Sequence, residues 1–274
     1  MVEPLKFEIL TIGNELLIGK ILNTNAHWLA KRITSLGGKV TRILVVGDDV
    51  EEIASALKSC LERHPDFVLT VGGLGPTFDD KTLEGVAQAL GRRLEVNEEA
   101  LEMVKAKYEA LSRLRGRKLE LTPVRVKMAT LPEGAKPIRN PVGTAPGVLI
   151  ETEGVTIISL PGVPNEMKAI FEDFLVPMIK KRSRLVFCEK SLRVDGIYES
   201  ELAPIIEQVL RGNPRVYVKS HPKREEGAAY VELHLTTSAE TLDEGMKLIE
   251  LTVSELKRHV TERGGRISEI AEEG

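Results

Sequence analysis

The chain has 274 residues, and its 38 lysines and arginines against 41 aspartates and glutamates leave a net charge of −3, which gives no bulk electrostatic reason to expect a nucleic acid or an anionic membrane as partner. No apolar run is long enough to cross a bilayer, no basic-then-apolar leader opens the chain, and the two cysteines, Cys60 and Cys188, are too few and too distant for a disulfide framework. The length exceeds a usual single domain of about 100–150 residues, so the expectation is a two-domain protein of the reducing cytoplasm.

Phe7–Ile12 reads as a first strand, with Gly13–Gly19 leaving it and placing Asn14 and Glu15 at its carboxyl end, where ligands gather in open α/β sheets. Asn23 or Thr24 is set to cap a helix with Ala26, Leu29, Ala30, Ile33 and Leu36 on one face, closed by Gly37-Gly38. Val40–Val46 gives a second strand, after which Asp48-Asp49 precede a helix carrying Ile53, Leu57, Cys60 and Leu61. One of those aspartates is expected as its cap.

Phe67–Val71 is short, apolar and β-branched, as a buried parallel strand should be. It runs into Gly72-Gly73-Leu74-Gly75-Pro76-Thr77-Phe78-Asp79-Asp80-Lys81-Thr82, ahead of a helix with Leu83, Val86, Ala87 and Leu90 at helical spacing. Three glycines in four positions let backbone N–H groups approach an anion closely. The stretch is neither a dinucleotide fingerprint, lacking the third glycine, nor a P-loop, lacking Gly-Lys-Ser/Thr. The β-α-β-α-β order predicts a parallel sheet with right-handed crossovers, so Glu15, Asp48 and Asp80 should share one rim, an arrangement suited to metal or proton chemistry.

Residues 97–118 read as a long helix ending in Arg113, Arg115, Arg117 and Lys118, and Val124–Met128 as a strand. Asn140–Gly147, with Gly143 and Thr144, reads as a loop entering a hairpin of Val148–Glu151 and Thr156–Leu160, and offers a second wall for a ligand. Gly162, Pro164 and Asn165 lie in another strand-to-helix joint, a helix start suited to an anion, ahead of Met167, Ile170, Phe171, Phe174, Leu175 and Met178. Pro177 and Lys180–Ser183 mark the expected boundary between a domain of residues 1–182 and a small one of 183–266.

The small domain reads as β-α-β-β-α: Leu185–Val194, Glu199–Leu210, Arg215–Lys219, Tyr230–Thr236, and a helix with Leu242, Met246, Ile249, Val253 and Leu256. It has no Gly-x-x-Gly clamp and no exposed aromatic pair, so a scaffold or dimerisation role is expected rather than RNA binding. His221–Gly227 is taken as a solvated hairpin tip, and the end of the chain, 267–274 and the residues just before it from Glu262, as a frayed tail. The five histidines show no zinc spacing and no serine or cysteine sits in an activating motif, which leaves carboxylates and backbone N–H groups as the chemical equipment.

Four ordered stretches carry a family resemblance: Gly13-Asn14-Glu15-Leu16-Leu17 with Asn23-Thr24-Asn25-Ala26, the loop Gly72–Thr82, Gly143-Thr144-Ala145-Pro146-Gly147, and Leu160–Met167. Over residues 7–180 the chain resembles the amino-terminal domain of the CinA proteins, in the molybdopterin-binding superfamily shared with MoaB and MogA. The following region is similar to the KH-like module of CinA proteins, and the activity of the nicotinamide-nucleotide amidase domain of longer members is not expected here. The resemblance implies a mostly parallel α/β sheet with helices on both faces, then a small α+β domain. It also implies a pocket for a pterin or nucleotide at the rim, formed by Asn14, Asn23, Asp48, Gly72, Gly73, Leu74, Gly75, Thr77, Gly143, Thr144, Gly162, Pro164 and Asn165, in a homo-oligomer, a dimer by preference.

CinA-type domains are associated with metal-dependent hydrolysis of ADP-ribose and FAD, which implies a pyrophosphatase releasing AMP. Asp80, Asp79 and Glu15 would then be catalytic, with Asp79 and Asp80 on a divalent ion such as Mg, Mn, Co or Ni. MogA-type relatives adenylylate molybdopterin, and a molybdopterin-binding or molybdopterin-adenylylating protein of molybdenum cofactor biosynthesis is the alternative. Asp80 falls on the last aspartate of the MogA-type glycine motif, whereas Leu74 and the Asp79-Asp80 pair follow the CinA pattern.

Overall fold

A computed structural model describes residues 3–116, 120–225 and 228–270. Residues Leu5–Thr34 with Gly38–Ser183 form one compact unit, and Arg184 onward builds a second.

The first unit runs β1 (Lys6–Ile12), α1 (Asn14–Leu17), α2 (Thr24–Ser35), β2 (Lys39–Val46), α3 (Val50–Leu61), β3 (Phe67–Val71), α4 (Thr82–Leu90), β4 (Leu94–Val96), α5 (Glu98–Arg115), α6 (Pro123–Val126), β5 (Thr130–Pro132), β6 (Lys136–Ile138), β7 (Gly147–Thr152), β8 (Val155–Leu160), α7 (Pro164–Ile170) and α8 (Val176–Arg182). The main sheet has the order β2-β1-β3-β8-β7-β6. Its pairings β1–β2, β1–β3 and β3–β8 are parallel, while β7 and β6 run antiparallel to their neighbours. All five residues of β3 are buried, which explains its unbroken apolar run.

Alternation along the strands sorts the core. Leu10, Ile12, Val68 and Ile157 join Ile53 and Leu57 of α3, Val86 of α4 and Val104 of α5 in one cluster. Successive side chains point to opposite faces, so Phe7, Ile9, Phe67 and Leu69 serve the other side, and the Phe7 and Phe67 rings stack there at 4.7 Å. The off-stripe Trp28 of α2 meets Phe171 edge-on at 5.4 Å, and Phe171 opens a wider-pitch turn, Phe171–Leu175, between α7 and α8. The mostly parallel α/β fold expected from the sequence is therefore present.

The second unit contains β9 (Val186–Asp195), α9 (Glu199–Gly212), β10 (Tyr217–Glu225), β11 (Ala228–Ala239), α10 (Leu242–Glu262) and β12 (Arg266–Glu269), with the antiparallel order β10-β11-β9-β12. Leu192, Val194, Leu233 and Leu235 of the sheet pack with Ile205, Ile249 and Leu256 of its helices.

Several sequence expectations need correction. Val124–Met128 is not a strand: Pro123 sets the first helical turn, and the Thr122 carbonyl accepts from Arg125 N and Val126 N at 2.9 and 3.0 Å. The long helix stops at Arg115, where Gly116 adopts a left-handed conformation at φ 62°, and Arg117 and Lys118 lie outside the described residues. Residues from Glu262 do not all fray, because Arg266–Glu269 pairs with β9 from Asp195 to Leu192 and covers an otherwise open edge. His221–Glu225 belongs to β10 rather than to a hairpin tip, while Glu226 and Gly227 are outside the described residues.

Candidate functional site

The ends of β1 and β2 are latched together by backbone-to-side-chain bonds. Asn14 N donates to Asp48 Oδ2 at 2.8 Å, and Asp48 N donates to Asn14 Oδ1 at 3.4 Å. Asp49, not Asp48, caps α3, accepting from Glu51 N and Glu52 N. Asp48 is thereby free of capping and fixed at the rim. Asn23 works within the scaffold, since its Nδ2 donates to Thr11 Oγ1 at 2.9 Å and its Oδ1 accepts from Ala26 N at the start of α2.

The loop after β3 is shaped by two glycines with positive φ, Gly72 at 107° and Gly73 at 63°. A Cβ on Gly72 would lie 2.3 Å from the Ile12 carbonyl oxygen, and one on Gly73 equally close to Thr82 Oγ1. The glycines are thus required by close approach as well as by dihedral. Thr82 opens α4 by donating from Oγ1 to Gly72 O at 2.7 Å and from N to Gly73 O at 3.2 Å. Neither Asp79 nor Asp80 caps that helix. Both turn back on Thr77, with Thr77 N donating to Asp80 Oδ2 at 2.8 Å and the Thr77 hydroxyl in contact with Asp80 Oδ2 and Asp79 Oδ1. The hydroxyl holds the exposed Asp79 carboxyl below its ordinary value. Lys127 completes the loop's framework by donating to Thr77 O at 2.8 Å.

These elements enclose a cavity of about 290 Å³ at the carboxyl ends of β1 and β3. Among the expected site residues it is lined by Glu15, Asn23, Asp48, Gly72, Gly73, Thr77, Asp79, Asp80, Gly162 and Pro164. Four carboxylates face it, and no Lys, Arg or His contributes to its described lining. No group of three or more His, Cys, Asp or Glu among the described residues stands where it could hold a metal ion.

Asn14 stays behind Asp48, and Asn165 lies outside this lining, as do Gly143 and Thr144. Gly143 N is bound by Asn140 Oδ1 at 2.8 Å, and Thr144 Oγ1 contacts Met128 Sδ at 3.8 Å. Leu74 and Gly75 face a neighbouring cavity. Sequence reasoning missed Thr11, Ile21, Leu22 and Thr24 as lining residues, and it missed Asn25, whose Nδ2 donates to Gly162 O at 2.7 Å. Of the lining residues it missed, Gly13, Leu16, Thr24 and Asn25 carried a signal, as parts of the Gly13–Leu17 and Asn23–Ala26 stretches.

With this geometry in place, the comparison with known proteins is direct. The family model "Probable molybdopterin binding domain" matches residues 8–181. The chain belongs to this molybdopterin-binding family. Relatives similar over nearly the whole length include a protein of Pyrobaculum arsenaticum, 46% identical and covering 94% of this chain and 95% of its own length. A protein of Aeropyrum pernix is 47% identical over 95% of this chain and 96% of itself. Among solved structures, the protein CinA with unknown function from Thermoplasma acidophilum is 44% identical, with a TM-score of 0.58, covering 64% of this chain and 98% of that one. The resemblance to the CinA amino-terminal domain is thereby borne out. No helix among the described residues is long and apolar enough to cross a membrane.

Proposed function

We propose that the rim cavity binds molybdopterin or its adenylylated form and that the chain serves molybdenum cofactor biosynthesis. The observation that carries this reading is the family match over residues 8–181, which includes the strands and loops that line the cavity. Phosphate would meet the Gly72–Gly73 turn and the Gly162–Pro164 joint, while N–H and O–H groups of the ligand next to its phosphate would meet Glu15, Asp48 and Thr24. Carboxylates are useful there because they accept hydrogen bonds from such groups.

A second reading, metal-dependent cleavage of ADP-ribose or FAD to release AMP, is favoured by one observation. The Thr77 hydroxyl has a single proton, yet it contacts both Asp79 and Asp80. One carboxylate is left facing an oxygen without a proton between them, a conflict that a cation would relieve. The described residues do not form a protein cage for an ion, but Mg²⁺ is usually held by one or two carboxylates together with substrate phosphates, so Asp79 and Asp80 fit an ion delivered with its ligand. Such an ion would neutralise phosphate charge.

The test is to give the full chain molybdopterin and MgATP under anaerobic conditions, and in parallel ADP-ribose or FAD with Mg²⁺, Mn²⁺, Co²⁺ or Ni²⁺. Saturable molybdopterin binding with no AMP released from ADP-ribose or FAD is the expected result. AMP release with no molybdopterin binding would overturn it in favour of the second reading.

A further inference from the structure

The glycine loop divides two cavities of opposite character. Gly73 and Asp80 line both. The rim cavity is polar and acidic. The other, of about 520 Å³, is walled by Leu74, Leu83, Leu94, Leu121, Pro123 and Val126, a volume within the range of roughly 300–1,000 Å³ usual for small-molecule sites. Glu84, Lys127 and Thr130 supply its polar edge.

Six aliphatic side chains make that lining unsuited to phosphate, and among the described residues its one cation, Lys127, is already bound to Thr77 O and lies 3.8 Å from Glu84 Oε1. A purely aliphatic occupant would gain nothing from the Glu84 carboxylate. A flat nitrogen heterocycle matches both features, because its faces are apolar and its rim carries N–H donors and nitrogen acceptors. The geometry points to this second cavity as the seat of the planar nitrogen heterocycle of a ligand whose phosphates occupy the rim cavity. Adenine and pterin share that chemistry.

This inference rests on the proposed function, which places a phosphorylated ligand in the rim cavity. It adds a ring subsite built from Leu83 and from the α6 turn with Lys127. Lys127 at the ring site holds the carbonyl of Thr77, whose hydroxyl lies between Asp79 and Asp80.

The experiment uses the full chain with three probes: ADP, 6-hydroxymethylpterin diphosphate and inorganic pyrophosphate. In Val126→Trp, which fills the cavity, calorimetry should show ADP or the pterin diphosphate weakened by about tenfold or more, with pyrophosphate unchanged. Independently of any variant, ¹³C-methyl spectra of the wild type should show ring-current shifts at Leu83 and Val126 with a ring-bearing probe and none with pyrophosphate. Shifts with only one ring-bearing probe identify adenine or pterin as the occupant. Equal weakening of all three probes, or ring-bearing probes that bind without moving those methyls, overturns the ring subsite while leaving the rim-cavity reading intact. Failure of all three to bind the wild type overturns both.

Discussion

Two loops rich in glycine and proline, Gly72–Asp80 read as an anion cradle and Asn140–Gly147 read as a second wall beside it, are given different work by the structure. In the second loop the polar groups are already paired. Asn140, which is buried, donates to Ala145 O at 2.8 Å and Glu166 Oε2 at 2.7 Å and accepts from Val142 N and Gly143 N. Lys107 adds a bond to Pro141 O at 2.7 Å. In the first loop, Asp79 and Asp80 crowd one hydroxyl at the mouth of a cavity. Glycine and proline content signals an irregular backbone, and only the pairing of the polar groups separates a scaffold loop from one that can receive a ligand.

The comparison is broken most forcefully at Asn140. Asn140→Ala removes four hydrogen bonds and strands the buried Ala145 carbonyl, so thermal denaturation should show a loss of about 3 kcal/mol, with pyrophosphate affinity of the folded protein unchanged. A large affinity loss in the folded variant would place the second loop at the ligand after all.

Asp80→Asn should show the converse. Stability should change by no more than about 1 kcal/mol, because an amide oxygen can still accept from Thr77 N. Removing a negative charge beside the phosphate should leave pyrophosphate binding in EDTA equal or tighter, whereas binding with Mg²⁺ should weaken by about tenfold. Equal affinities with and without Mg²⁺ in both proteins would remove Asp80 from any cation-assisted role.

The smallest effect is electrostatic. The Thr77 hydroxyl is the main cause of the lowered Asp79 pKa, so Thr77→Val should raise that pKa towards the ordinary aspartate value in a carboxylate NMR titration. The sign follows from linkage: the bond favours the ionised form, so its contribution is complete above the ordinary aspartate range and is lost as pH falls through the depressed value. An unchanged Asp79 titration would show that the hydroxyl bonds Asp80 alone.

Much of this arrangement was legible beforehand because it depends on local pattern. Phe67–Val71 could be read from its apolar run, the Gly72–Thr82 stretch from its glycines, and the helix from Thr82 onward from its spacing. What escaped depends on a local helix start or on partners distant in sequence. Val124–Met128 alternates like a strand, but Pro123 and the Thr122 carbonyl wind it into a turn, and that turn carries Lys127 to Thr77, 50 residues away. Glu8, a charge inside a central strand, is buried because Arg42 and Arg63 grip it from 34 and 55 residues away. Gly143 looked like a ligand loop residue, yet its N–H is bound by Asn140 Oδ1 and the Glu166 carboxylate packs against its Cα.

The clash that forbids any side chain at Gly72 also limits how this pocket can diversify. A methyl group there would press on the Ile12 carbonyl and pry β1 from β3, and Gly73 is confined in the same way by Thr82. Selection acting on this backbone therefore has an invariant anvil under the ligand and must do its tailoring on the opposing walls. Ile21 and Leu22 face the rim cavity, while Leu121 and Val126 face its neighbour. A designer seeking a new ligand should randomise those four positions and leave the glycine turn alone.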